Sequence, residues 1–434
     1  TSPRPPATTA PPPATTATTV IEMRACGSAQ SRPWSILCRA HDLIVERSLY
    51  EPDSPSLAAA AATGVRRVQP GSGDASDPFS VCYLPDPAFD TVCETIADRH
   101  RFEGIPIERL VEGAVQGMFR FGLDPYSSYL TAEQAARLQS VGPGHVLSLG
   151  LVVGARNPDG VVCGPLGGNC QLTVLTVFDL GPAGDAGIQP GDVIETIEGA
   201  PLEGIQETEA AALLSASPGE TTTVTYRRLG TTTEVTLIHV ALPAASVEYG
   251  PIGPDILYLR LNDLSQQAAQ AVGEILESPD AQGISGIVLD LRGNPGGLVL
   301  SAQAVASQFL SSGVVLVEET RTDTVELPVL EGGLVPAGVR VAVIVDSGTA
   351  SSAEILAAAL QSAGRATVIG QPTFGKNVVQ EVFDAPGGGE FRITVARWFA
   401  PNGVDVAPDG LTPDVVADVA GDAPISQAAA LVAG

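Results

Sequence analysis

The hydrophobic pattern changes period twice along the chain. Over 21–140, apolar residues recur at i, i+3, i+4 and i+7 in the segments 33–50, 86–100 and 107–121, which predicts amphipathic helices, with a further helix around Glu133. The Ser/Pro/Gly-rich stretch 52–79 between the first two reads as loop. Over 141–243 the apolar runs shorten and Gly and Pro punctuate them. They predict a strand entered from 147–153, strands at 172–177, 221–228 and 233–240, and short helices at 181–188 and 207–215. Over 244–421 strand and helix alternate: strands at 256–261, 284–289, 314–319 and 341–345, helices at 265–276, 300–309 and 352–363. That alternation predicts an α/β layered fold, and 425–433 a short Ala-rich closing helix. Residues 1–20, a Pro/Thr/Ala tract with no apolar period, read as an extended linker. The expected organisation is a linker (1–20), a helical N-terminal region (21–140), a β-rich module (141–243), an α/β core (244–421) and a tail helix (422–434).

Composition narrows the function classes. With 434 residues, 44% of them apolar, the chain can build several domains with separate cores. A net charge of −26 argues against nucleic acid and anionic membranes as partners, because both repel it. Six cysteines fall in three close pairs, Cys26 and Cys38, Cys82 and Cys93, Cys163 and Cys170, with no C-x-x-C spacing and only four scattered histidines. This fits disulfides better than a metal site and implies an oxidising compartment, extracellular or in the cell envelope. No cofactor motif is present. No signal peptide is visible, so an exported chain would have lost its signal segment, and any membrane tether would have gone with it.

The candidate chemistry centres on 343–380. A β-branched run ends at Asp346-Ser347-Gly348-Thr349 and a helical pattern begins at Ser352, which places Ser351 at a helix start. First-turn amides lack intrahelical partners and carry the positive end of the helix dipole, so a hydroxyl there lies beside donors able to hold an oxyanion. Lys376 is the only lysine among 23 cationic residues. An arginine cannot give up its proton, whereas a buried lysine can, which marks Lys376 as a candidate base. Gln380, four residues on, can orient the amine without restoring its charge; in strand or loop that spacing puts both side chains on one face. Burial against walls such as Phe374 and Val379 would depress the lysine. His41, His100, His145 and His239 lie outside the α/β region and read as surface or packing residues, and Glu354 reads as an acid favoured by the helix dipole.

Thr349-Ala350-Ser351-Ser352-Ala353-Glu354-Ile355 and Thr373-Phe374-Gly375-Lys376 with Gln380 resemble the signature of the carboxyl-terminal processing peptidases, also called tail-specific proteases. Thr349, Ser352, Ala353 and Asn377 depart from the usual letters, and Ser352 sets a second hydroxyl beside the first. The resemblance implies a serine protease with a layered, crotonase/ClpP-like α/β core, in which Ser351 is the nucleophile, Lys376 the general base and Gln380 the orienting group. Asp290-Leu291-Arg292-Gly293-Asn294-Pro295-Gly296-Gly297 resembles the family's oxyanion turn and assigns the oxyanion amides to Gly297 and Ser352. The turn lacks the lysine and spacing of a phosphate loop. Leu123-Asp124-Pro125-Tyr126-Ser127-Ser128-Tyr129 and Gly410-Leu411-Thr412-Pro413-Asp414 extend the likeness over about 107–420.

Ala186-Gly187-Ile188-Gln189-Pro190-Gly191-Asp192-Val193-Ile194 resembles the core of a PDZ domain, which takes a C-terminal peptide as an added strand. By that likeness Leu149, Gly150 and Leu151 supply the carboxylate-binding amides, the helix near 211–214 walls the side-chain pocket, and the longer hairpin 155–171 can shade the groove. The implied activity is an exported endopeptidase acting on proteins or peptides with apolar C-terminal tails, without metal or cofactor. A gated or inactive PDZ scaffold on the same fold is the alternative, and an acyl-transfer enzyme a weaker one.

Overall fold

The computed structural model describes residues 32–70, 84, 86–140, 149–177, 181–240, 246–419 and 421–433. The N-terminal region comprises α1 (Arg32–Arg47), α2 (Ser54–Arg67), α3 (Asp90–Glu103), α4 (Ile107–Gly122), β1 (Ser128–Leu130) and α5 (Ala132–Ser140). Two features differ from the sequence expectation. Helix α2 occupies part of the stretch read as loop: Asp53 caps it through the Ser56 N–H, and its apolar side is almost entirely alanine, too small to register as a hydrophobic stripe. Those small residues are what the packing needs, because a Cβ on Gly64 would fall on the backbone of Gly113 and Gly117 of α4. The region is also not purely helical, since β1 joins a sheet of the core, with Tyr129 opposite Phe391.

The middle module consists of β2 (Leu151–Arg156), β3 (Gln171–Val177), α6 (Pro182–Asp185), β4 (Val193–Ile197), β5 (Ala200–Pro201), α7 (Glu207–Leu213), β6 (Thr221–Arg228) and β7 (Thr231–Ile238). Its antiparallel sheet runs β2-β3-β4-β6-β7, with β5 on β4, around a core that includes Leu149, Leu151, Ile194 and Leu214.

The remainder is β8 (Val247–Ile252), β9 (Ile256–Leu261), α8 (Gln266–Glu277), β10 (Gly286–Asp290), α9 (Val299–Phe309), β11 (Val314–Thr320), β12 (Thr324–Pro328), β13 (Arg340–Val345), α10 (Ser352–Ser362), β14 (Thr367–Gly370), β15 (Val378–Asp384), β16 (Glu390–Phe399), β17 (Val415–Val416) and α11 (Ala423–Val432). One sheet has the order β17-β14-β13-β10-β9-β8, parallel except for β8. Its central strands are buried on both faces, under α8 to α10 on one side and α11 on the other, which explains the continuous apolar run of β13. A second sheet, β1-β16-β11-β12 with β15 on β16, packs against the N-terminal helices, where Phe119 stacks on Phe391 at 5.7 Å between ring centroids. β10 and β13 lie side by side and end together, so the glycine turn after Asp290 and the turn carrying Ser351 emerge at the carboxyl edge of the parallel sheet. That edge is where open α/β sheets bind ligands.

Candidate active site

Two buried residues lock these turns to each other. Asp346 accepts the N–H of Gly293 at 2.9 Å and of Gly348 at 3.0 Å, and Asn294 accepts the Gly296 N–H on its side chain and the Ala350 N–H on its carbonyl, both at 2.9 Å. The Gly296 backbone is thereby pressed on the Ser351 turn: a Cβ there would stand 3.0 Å from both Ser351 Cβ and Ser352 N. The N–H groups of Gly297 and Ser352, assigned to the oxyanion by likeness, have no acceptor among the described residues. They are open donors, one in the glycine turn and one at the head of α10.

Ser351 is the N-cap of α10 with φ 56°, a left-handed conformation that a non-glycine residue adopts only under constraint. A strained strand-to-helix turn is also how other hydrolases raise a serine clear of their sheet. Of the two adjacent serines only Ser351 reaches solvent. Ser352 is 0% exposed and its hydroxyl has no partner among the described residues.

Glu354, 0% exposed, joins the Ser351 segment to the Lys376 segment. Its Oε2 accepts the Ser351 N–H at 2.8 Å and the Lys376 N–H at 2.9 Å, while Oε1 accepts the Gly375 N–H at 2.7 Å and the Thr373 hydroxyl at 2.5 Å. Burial pushes this carboxyl up from its ordinary range, and the four donors oppose that push. The role expected from sequence, a mere dipole-favoured acid, understates it. The signal was present as Ser351-x-x-Glu354, a capping-box spacing.

Lys376 Nζ donates to Gln380 Oε1 at 2.8 Å and lies 5.2 Å from the centre of the Tyr126 ring. Gln380 is itself fixed by donating to the Tyr126 carbonyl at 2.6 Å. Asp124 shapes the Tyr126 turn by accepting from the N–H of Tyr126 and Ser127 and from the hydroxyls of Ser127 and Thr394. Desolvation lowers the Lys376 amine from the ordinary lysine range. Arg392 adds to this, and Glu207, Asp124 and Glu354 act against it. Tyr126 is one wall of this site, and Phe374 lies under the Arg156 guanidinium of β2 at 3.7 Å. The structure thus brings Lys376 and Gln380 into contact and pins Ser351 and Lys376 to one carboxylate oxygen. No hydrogen bond joins Ser351 Oγ to Lys376 Nζ among the described residues. Tyr126 was not singled out from sequence, although it lies in the turn that was.

In the middle module Leu149 and Leu151 are buried and Gly150 has φ 74°, set against Gly181 so closely that a side chain could not fit. Arg156 also donates to the Phe374 carbonyl at 3.2 Å, so β2 rests on the segment leading to Lys376. Cys163 and Cys170 form a disulfide. Cys38 and Cys93 each belong to a disulfide too, while Cys26 and Cys82 lie outside the described residues, as does His145. His41 packs on Phe89 between Asp42 and Asp86, and His239 is buried against Thr222.

Residues 255–417 match the family model of peptidase family S41, and residues 174–228 match that of a PDZ domain. The chain is 31% identical over 319 residues to the carboxy-terminal-processing protease of Bartonella bacilliformis, a match spanning 72% of this chain and 70% of that protein. It is also 31% identical over 313 residues to the carboxyl-terminal-processing protease of Synechocystis sp., spanning 70% of each. Among solved structures it is similar to the photosystem II D1 C-terminal processing protease, with a TM-score of 0.62 and 25% identity over 84% of this chain and 93% of that one. Fold and relatives agree, and the chain belongs to the carboxy-terminal processing proteases of peptidase family S41, serine peptidases that carry a PDZ domain.

Proposed function

We propose that the chain is an exported endopeptidase that takes protein C-terminal tails on its PDZ domain and cuts peptide bonds with Ser351 and Lys376. The observation that carries this reading is the shared Glu354 oxygen, which holds the backbones of nucleophile and base together beside two open amides. Lys376 acts as a neutral amine. It takes the Ser351 proton as Oγ attacks the scissile carbonyl, and the N–H groups of Gly297 and Ser352 hold the oxyanion. The ammonium then protonates the leaving amine, giving an acyl ester on Ser351. A water that surrenders its proton to Lys376 hydrolyses the ester and restores the serine. Gln380 aims the amine throughout. The amides of Leu149, Gly150 and Leu151 receive the tail's carboxylate, and the groove beside α7 takes apolar side chains. Disulfide-bonded Cys38, Cys93, Cys163 and Cys170 support an oxidising compartment.

A second reading, a gated enzyme, has its own support. Lys376 Nζ is turned to Gln380 instead of Ser351, and Arg156 of the PDZ domain bears on Phe374. Peptide cleavage by the parent protein, Ser351→Ala and Lys376→Arg tests the mechanism. Loss of turnover in both variants is expected, and equal rates in all three would overturn it.

A further inference from the structure

Strand β2 pairs with β3 along one edge, and its other edge faces α7. The two-residue period of a strand carries that free edge through Leu151, Val153 and Ala155. At Ala155 it is already filled from within the chain. The Ala155 N–H donates to Glu207 Oε2 at 2.7 Å, and its carbonyl accepts the Cys163 N–H at 3.3 Å. These are the two backbone groups that an added strand would need. One step further the Asn157 N–H donates to the Val161 carbonyl at 2.9 Å, and Arg156 bridges Val162 in antiparallel sense. Residues 161–163 therefore lie on the edge as a short added strand of the chain's own.

This segment is fixed at both ends. The Cys163–Cys170 disulfide closes the loop that follows it, and Leu166 in that loop exchanges hydrogen bonds with the approach to α7, donating to the Ile205 carbonyl at 2.8 Å and accepting the Gly204 N–H at 2.7 Å. The loop thus crosses from β2 to the start of α7, over the end of the groove opposite Leu149 to Leu151.

We propose that the disulfide-closed loop and Glu207 form a stop in the tail-binding groove. The module then reads only the last residues of a tail, about four, alongside Leu151 and Val153, and turns the chain off the sheet at Ala155. The ligand class is a peptide with a free carboxyl end and an apolar terminal side chain; the inference rests on the tail-binding reading above. Internal strand addition at residues 161–163 shows that this edge accepts an antiparallel partner, and that the place beyond Val153 is taken.

The test is fluorescence polarisation with the full disulfide-intact chain carrying Ser351→Ala. The probes are labelled peptides of four, six and eight residues that share one apolar C-terminus, with a carboxyl-amidated control. A stop predicts less than about two-fold gain in affinity from four to eight residues. An edge open past Ala155 would supply further backbone hydrogen bonds and a gain on the order of ten-fold or more. A Glu207→Ala, Cys163→Ser, Cys170→Ser variant is expected to recover length dependence. A continuous rise with length in the intact protein overturns the stop. Equal binding of the amidated control, or binding at no length, overturns tail recognition itself and the stop with it.

Discussion

Replacing Glu354 by glutamine keeps the volume and one oxygen but turns the other into an NH2 group. The native carboxylate faces four donors, two on each oxygen. Whichever way the amide is turned, two buried donors lose their acceptor and meet another donor. An orphaned buried donor costs about 1–3 kcal/mol, so the substitution costs on the order of 2–6 kcal/mol, against a total stability of about 5–15 kcal/mol for an ordinary domain. The melting temperature is expected to fall by on the order of 5–20 °C. Turnover should suffer further, because one orientation loses the bonds to the Ser351 and Lys376 N–H groups and the other loses those to Thr373 and Gly375, the residues leading into Lys376. Calorimetry and kcat/KM on a peptide substrate, measured at a temperature where the variant is still folded, separate the two effects. A variant with unchanged kcat/KM and a melting temperature within about 2 °C of the parent would refute the argument. It would mean that burial keeps the carboxyl neutral and that the donors need no anion.

In the proposed mechanism Lys376 must be neutral to act, and desolvation lowers its titration, so kcat/KM should rise with pH and level off below the ordinary lysine range. Between the lowered folded value and the ordinary one the unfolded chain binds more protons, so stability also rises with pH across that window. Lys376→Arg should show neither rise, and a midpoint at the ordinary lysine value would contradict the assignment. Ser351→Gly removes the cost of a left-handed serine, about 1–3 kcal/mol, so it should abolish turnover while raising the melting temperature; a lowered melting temperature would argue against stored strain. Gln380→Leu should cut kcat by about 10²-fold with little change in KM, read in steady-state kinetics, and an equal change in both would point to substrate binding instead. Gly64→Leu drives a side chain into the α4 backbone and should unfold the N-terminal helices, seen as lost ellipticity and a lower melting temperature, while a fully folded variant would mean that α2 can shift.

What was legible in the sequence followed from strong local signals. The β-branched run of β13, the small polar turn and the Ala/Leu helix placed Ser351 at a helix start, and the solitary Lys376 stood out because arginine does the other cationic work. Helix α2 was hidden because it packs through alanine and glycine, and close backbone approach leaves no hydrophobic stripe to read. The tie between Tyr126 and Gln380 spans 254 residues, and that between Glu207 and Ala155 spans 52. Neither pair has a spacing rule, so both become visible only once the sheets have assembled. Glu354 was legible as a cap but not as a clamp, because its other donors come from a segment beyond β14.

The rest position of the proposed base follows from the same clamp. The backbones at Ser351 and Lys376 are fixed to one oxygen, which limits how far the two segments can move apart. What remains free is the lysine stem, four methylenes long, whose amine is held by a neutral amide and an aromatic face. Exchanging the Gln380 bond for one to Ser351 Oγ swaps one hydrogen bond for another at little net cost. Phe374, two residues before the lysine, is held under Arg156 of β2. A charged lysine would resist that step, since it would leave its acceptor for a hydroxyl in a desolvated site; the neutral amine favoured by burial would not. On the proposed mechanism the lowered titration of Lys376 would serve twice, making the amine a base and letting it move.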